Sequence, residues 1–209
     1  MTTETPQRII TLIDIETAGK NRRRHPIIEV AAIAVEAGTW NEVSTFEAKV
    51  EFNVDDADPI ALGINKFKPS TWEKYALPPK VVAEKFSAFC RKHATVEKTS
   101  KRGKSYKVTP LAGHNAETFD GHFLRAWYRK QLIFFPVSMR VLCTKQRAMW
   151  FFEENQGLTP PANFKLMTLC KYFGILAPDH SALNDVRATV QLARVLAELQ
   201  QSRAMANAA

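Results

Sequence analysis

Two carboxylates spaced two positions apart, at the end of an apolar run, are the first residues in this chain whose types and spacing could do chemistry. The run is Arg8-Ile9-Ile10-Thr11-Leu12-Ile13-Asp14-Ile15-Glu16-Thr17, apolar and β-branched as in a strand buried on both faces. Alternate side chains of a strand point the same way, so Asp14 and Glu16 share one side. Two bare carboxylates in such a place are costly unless positive charge sits between them. A hard divalent cation, magnesium or manganese, is the usual solution, and its remaining ligands must come from elsewhere in the chain.

Two further acids and a histidine are placed to meet that need. Asp120 falls in the first turn of a helix after Gly113-His114-Asn115-Ala116-Glu117-Thr118-Phe119, on the rim of an apolar face made by Phe119 and Phe123. Asp185 lies near the start of the last helix, in His180-Ser181-Ala182-Leu183-Asn184-Asp185. Taken singly, each acid also reads as a first-turn residue favoured by the helix dipole, and a loop histidine as a bystander. On one continuous helix His180 and Asp185 would stand roughly 140° apart. A shared site therefore requires His180 in the loop ahead of the helix, with Asp179 or Ser181 as its cap.

Together, Asp14-Ile15-Glu16-Thr17, the segment from Asn115 to Asp120, and His180-x4-Asp185 resemble the three motifs of the DEDDh 3′–5′ exonucleases. These form the DnaQ-like branch of the ribonuclease H-like superfamily. The resemblance extends from about Arg8 to Leu199 and includes Pro26-Ile27-Ile28-Glu29-Val30-Ala31 and Asn163-Phe164-Lys165-Leu166. Asp120 follows Asn115 by five places where proofreading subunits have four, which is closer to the Trex-type and exonuclease I members. The resemblance implies a two-metal phosphodiester hydrolase that releases nucleoside 5′-monophosphates from a DNA 3′ end. It implies Asp14, Glu16, Asp120 and Asp185 as ligands of two Mg2+ or Mn2+ ions, and His180 as the base that deprotonates water. Thr17, Ala18, Asn115 and Phe119 are the implied nucleotide contacts. A 3′–5′ exoribonuclease is the alternative within the family, and an inactive nucleic-acid-binding module the alternative outside it. A polymerase or a second copy of the chain is left open as a partner.

The elements that must position these residues are readable in outline. Strands are expected at Ile9–Ile15, Pro26–Val35 and Thr45–Phe52, joined closely enough for an antiparallel meander, then at Val108–Gly113 and Pro136–Cys143. Helices are expected at Pro59–Phe67, from Pro78-Pro79, over a stretch holding Phe119 to Tyr128, at Lys145–Glu154, at Lys165–Phe173 and at Ser181–Leu199. The resulting expectation is a mixed α/β, ribonuclease H-like fold. A five-stranded sheet, the meander plus parallel strands, is flanked by helices in one exonuclease domain over residues 1–209, with its core at about 8–200. In such sheets the site lies beyond the carboxyl ends of the parallel strands, where Asp14 and Glu16 already stand.

Charge adds a partner. A formal net charge of +8 favours a polyanion, most often nucleic acid. The cations cluster at Lys20-Asn21-Arg22-Arg23-Arg24 and again between Arg91 and Lys107. Lys101, Arg102 and Lys104 in the second block are expected to grip the phosphate backbone, from a hairpin or mobile loop inserted at 92–108. Trp150-Phe151-Phe152 reads as core rather than as a stacking platform. Gln131-Leu132-Ile133-Phe134-Phe135 loosely resembles a sliding-clamp peptide but reads as a buried helix-to-strand connection. Cys90, Cys143 and Cys170 show no paired spacing, and neither a secretory signal nor a membrane-spanning run is present, so a cytoplasmic location is expected. Residues 202–209 are expected to fray.

Overall fold

The computed structural model describes residues 7–208. The expected meander is formed by β1 (Ile9–Thr17), β2 (Ile27–Glu36) and β3 (Glu42–Lys49), paired antiparallel in that order. The chain then makes two short helices, α1 (Pro59–Ile64) and α2 (Pro69–Tyr75), and a longer α3 (Pro79–Lys92). Each opens on a proline, whose fixed φ suits the first helical turn. A hairpin of β4 (Val96–Thr99) and β5 (Ser105–Gly113) follows, then α4 (Asp120–Gln131), β6 (Val137–Cys143), α5 (Thr144–Glu153), α6 (Leu166–Tyr172) and the long α7 (Ala182–Ala208).

β5 runs parallel to β1 through Thr11↔Leu111 and Leu12↔Ala112, and β6 runs parallel to β5. The mixed α/β class is as expected, but the sheet has six strands rather than five. The extra strand is β4, which pairs only with the first half of β5. At Thr109-Pro110-Leu111 the register of β5 shifts and the strand exchanges β4 for β1 and β6. Pro110 has no N–H for a ladder, which suits it to that irregular position.

The strict alternation along β1 divides the core. Ile13 and Ile15 pack with Phe86, Leu124 and Tyr128 beneath α3 and α4. Ile10 and Leu12 pack with Ala182, Val186 and Val190 of α7 on the opposite face. Asp14 and Glu16 continue the second series, so the same parity that buries Leu12 aims both carboxylates toward the start of α7. Gly113 lets the end of β5 close against β1 there: a Cβ on it would lie 2.6 Å from the Ala116 Cβ and 2.8 Å from the Ile13 carbonyl oxygen.

Of the two forms expected for 92–108 the structure takes the first, and three other details differ from the expectations drawn from sequence. The 92–108 segment is a hairpin with an ordered tip, in which the Gly103 N–H donates to the Ser100 carbonyl (2.9 Å) and the Lys104 N–H to the Ser100 hydroxyl (3.0 Å). Gly103 sits there at φ +75°, where a side chain would be strained. The expected frayed tail continues α7 to Ala208, its Ala, Met and Arg being good helix formers, while residue 209 and residues 1–6 lie outside the described part. In the Gln131–Phe135 connection, Ile133 and Phe135 pack on the core, but Leu132 is 92% exposed and Phe134 59% exposed, so the stretch is not buried throughout. Phe151 and Phe152 are core, whereas Trp150 is exposed. Among the described residues no helix is long and apolar enough to cross a membrane.

Candidate active site

Asp14, Glu16 and Asp185 offer carboxylate oxygens that all lie within 4.8 Å of one another. The first two come from the end of β1, and the third from the first turn of α7, where Asp185 is 9% exposed. Asp120 stands at the start of α4 and is 4% exposed. Its Oδ1 accepts the backbone N–H of Ile15 at 3.1 Å, a donor left free because β1 diverges from β5 beyond Leu12. This bond holds Asp120 against β1 beside Asp14, outside the three-oxygen cluster.

Burial and mutual repulsion together push these acids up. Asp14 is raised well above the usual carboxylate range by burial first, then by the charges of Asp120, Glu16 and Asp185. Glu16 is raised to about 8, by burial and then by Asp185 and Glu29. Asp120 is raised to about 7 by burial, partly offset by the backbone N–H groups it accepts, and Asp185 is raised for the same reasons. The positive charge of Lys49 offsets the rise of Glu16 only slightly. Lys49 pairs instead with Glu29 at 3.1 Å, across β2–β3, with its ammonium 4.7 Å from the centre of the Trp72 ring. A close group of hard oxygen donors without a basic side chain between them fits a divalent cation.

His180 lies in the loop ahead of α7, exposed, with a left-handed φ of +61°. The loop is tied down by backbone contacts. The Asp179 N–H donates to the Asp185 carboxylate (3.2 Å), while the Asp179 carboxylate accepts from the Ser181 N–H (3.2 Å) and the Asn184 amide (3.2 Å). Two residues without any signal in the sequence complete this frame. Lys66, between α1 and α2, donates from Nζ to the Asp179 carbonyl at 2.6 Å, and its neighbour Asn65 donates to the Thr17 carbonyl at 2.9 Å. Residues 65 and 66 thus join the end of β1 to the His180 loop. No local motif marks them, since their partners are 48 and 113 residues away.

The implied nucleotide contacts divide. Asn115, at φ +62°, and Phe119 are half-buried at this end of the sheet. The Asn115 Oδ1 accepts from Lys145, and Phe119 packs against Phe123. Thr17 is nearly buried with its hydroxyl given to the Gly19 carbonyl. Ala18 is fully buried, its N–H bonded to Pro26 and its carbonyl to Asp58, so it presents no free group to a nucleotide. The first basic block is near the acids along the chain, Lys20 being four residues from Glu16. Lys20, Arg22 and Arg23 face Ile60 and Ile64 of α1 across a cleft of about 710 Å³ that Gly19 also lines. The second block is remote from the acids. Lys101, Arg102 and Lys104 sit at the far, amino-terminal end of β5, while the carboxylates sit at the carboxyl end of the parallel β1. The register places Lys104 about ten strand residues from Asp14, a path of roughly 33 Å.

Residues 11–102 match the exonuclease family model RNase_T, a stretch that includes Asp14 and Glu16. The fold of the chain is that of part of exonuclease I. The domain superposes on an exonuclease I structure with a TM-score of 0.75 at 20% identity, over 94% of this chain and 42% of that one. Against E. coli exonuclease I in complex with a dT13 oligonucleotide the TM-score is 0.75 at 19% identity, over 96% and 43% of the two chains. Against a zinc-bound E. coli exonuclease I–single-stranded DNA complex it is 0.74 at 19%, over 94% and 42%. The chain thus spans less than half the length of those exonuclease I chains. No curated protein sequence matches it.

Proposed function

We propose that this chain hydrolyses single-stranded DNA from its 3′ end and releases nucleoside 5′-monophosphates. The observation that carries this reading is the three-carboxylate cluster at the end of β1, flanked by the His180 loop. The oligonucleotide and single-stranded DNA held by E. coli exonuclease I support DNA as the polymer.

Asp14, Glu16 and Asp185 would hold one divalent cation, and Asp14 with Asp120 a second. Bound there, the cations supply charge neutralisation at the scissile phosphate and a more acidic attacking water. The protein's own groups do the rest. An imidazole nitrogen of His180 takes the proton of that water as its oxygen attacks phosphorus. The bond from phosphorus to the 3′ oxygen of the preceding nucleotide breaks, and that oxygen is protonated from solvent. Lys20, Arg22 and Arg23 hold the phosphates behind the terminal nucleotide, and the burial of Asp120 and Asp185 fixes the carboxylates before substrate arrives. Lys66 keeps the His180 loop within reach. Lys66→Met should lower kcat about tenfold with KM little changed, the scale of an outer-shell support, and Lys66→Arg should restore most of it. A change confined to KM would assign Lys66 to substrate binding instead.

End-labelled single-stranded DNA, duplex DNA and RNA of one sequence, each incubated with Mg2+, test the proposal. Stepwise loss of 3′ mononucleotides from the single-stranded DNA is the expected result. Preferential loss from RNA would reassign the substrate, and no product from any of the three would overturn the activity.

A further inference from the structure

The far end of the sheet, where the second basic block lies, is built as a surface of its own. The β4–β5 pairing sets Lys98 opposite Tyr106 and Glu97 opposite Lys107, so the single acid of the hairpin stem faces away from Tyr106. On the Lys98–Tyr106 face, Tyr106 meets Phe134 edge to face with ring centres 5.7 Å apart, and both rings are open to solvent at 37% and 59% exposure. Arg140 and Ser138 of β6 close the other side of this cleft, which measures about 250 Å³. That is below the roughly 300 Å³ at which pockets for whole small ligands begin, and suits one inserted flat group. The side chains of Lys98, Arg140 and the tip residues Lys101, Arg102 and Lys104 make no ion pair among the described residues.

Exposed aromatic faces flanked by free cations are the elements of single-strand recognition. Any base can stack on the rings, and the cations follow the phosphates. The cations favour a polyanion and the exposed ring pair a flat group to stack on it, and a single strand supplies both. We propose that this end of the sheet is a second single-stranded nucleic-acid contact. A base stacks on the Tyr106–Phe134 pair, and neighbouring phosphates lie on Lys98, Arg140 and the hairpin tip. The contact stands apart from catalysis, because the carboxylate cluster lies at the opposite end of the parallel pair. It makes affinity depend on strand length. At about 3.4 Å per stacked nucleotide, the roughly 33 Å path corresponds to about ten nucleotides, so a trinucleotide at Asp14 does not reach the hairpin and a 20-mer does.

The test is fluorescence anisotropy with a labelled 20-mer of thymidylate, in EDTA so that nothing is cleaved, on the full chain and two variants. One is Tyr106→Ala/Phe134→Ala, the other Lys101→Gln/Arg102→Gln/Lys104→Gln, all at exposed positions. The aromatic variant should bind the 20-mer about tenfold more weakly. The cation variant should also lose about 0.7 of salt slope for each phosphate contact removed. Hydrolysis of trithymidylate with Mg2+ should be unchanged in both. Unaltered 20-mer affinity in both variants overturns the proposal. So does an equal loss on the trinucleotide, or a parent chain that binds polyglutamate as tightly as the 20-mer. Because binding is read without metal, an inactive but binding chain would count against the hydrolytic reading alone.

Discussion

Asp14→Asn is expected to lower turnover on the order of 10³-fold or more, the scale of one preorganised electrostatic group, while raising the melting temperature of the cation-free protein. Both effects share one cause. Asp14 is buried among Asp120, Glu16 and Asp185, each of which resists its ionisation. Neutralising it removes the repulsion and, with it, the oxygen at the centre of the cluster. The pH dependence follows with a definite sign. Glu16 has an ordinary value of 4.5 and is raised to about 8 in the folded chain. Its contribution to stability is therefore complete below about pH 4.5 and is lost as the pH rises through about 8. In EDTA the melting temperature should fall across that window, and the fall should be shallower in Asp14→Asn. Adding Mg2+ at pH 8 should reverse it, because a ligand bound only by the folded chain stabilises it. Calorimetry at pH 5 and pH 8, with EDTA or Mg2+, measures all of this. A melting temperature at pH 8 that ignores Mg2+ would show that the cluster holds no such cation.

His180→Ala should reduce kcat by about 10²–10⁴-fold, the usual contribution of a positioned general base. It should leave the Mg2+-induced rise in melting temperature intact. The separation is structural: His180 is exposed in the loop, whereas the carboxylates that would hold the cation are anchored on β1, α4 and α7. His180 contributes no atom to the cluster of Asp14, Glu16 and Asp185. An unchanged kcat would remove it from the reaction. A lost Mg2+ response would make it a part of the cation site instead.

Much of the site is legible in the residues alone. The parity of Ile10, Leu12, Asp14 and Glu16 is a local property of a strand, and it places both acids on one face whatever the strand packs against. The same arithmetic, applied to His180 and Asp185, puts the histidine in a loop, and α7 begins two residues after it. Less is legible where a conclusion depends on what lies beside what. Ala18 stands two places after Glu16, yet it is sealed under Trp72 and Ile28 by α1 and α2, and α2 itself has no clear periodic signal. Lys66 and Asn65 have no signature in the chain because their role lies in carbonyls of remote segments.

The basic hairpin shows the division most plainly. Its composition marks it as a phosphate-binding segment, and its Ser100 and Gly103 suit the tight tip that forms. Neither feature says which end of the sheet it occupies. That is decided by β5 lying parallel to β1, which sends the amino-terminal half of β5 away from Asp14. The sequence by itself determined which side chains could hold a cation and which elements carry them, because propensity and periodicity act over a few residues. Only the tertiary structure decided that Lys101, Arg102 and Lys104 stand at the end of the sheet away from the carboxylates. Strand order and direction are set by non-local pairing, and linear charge clustering contains no information about it.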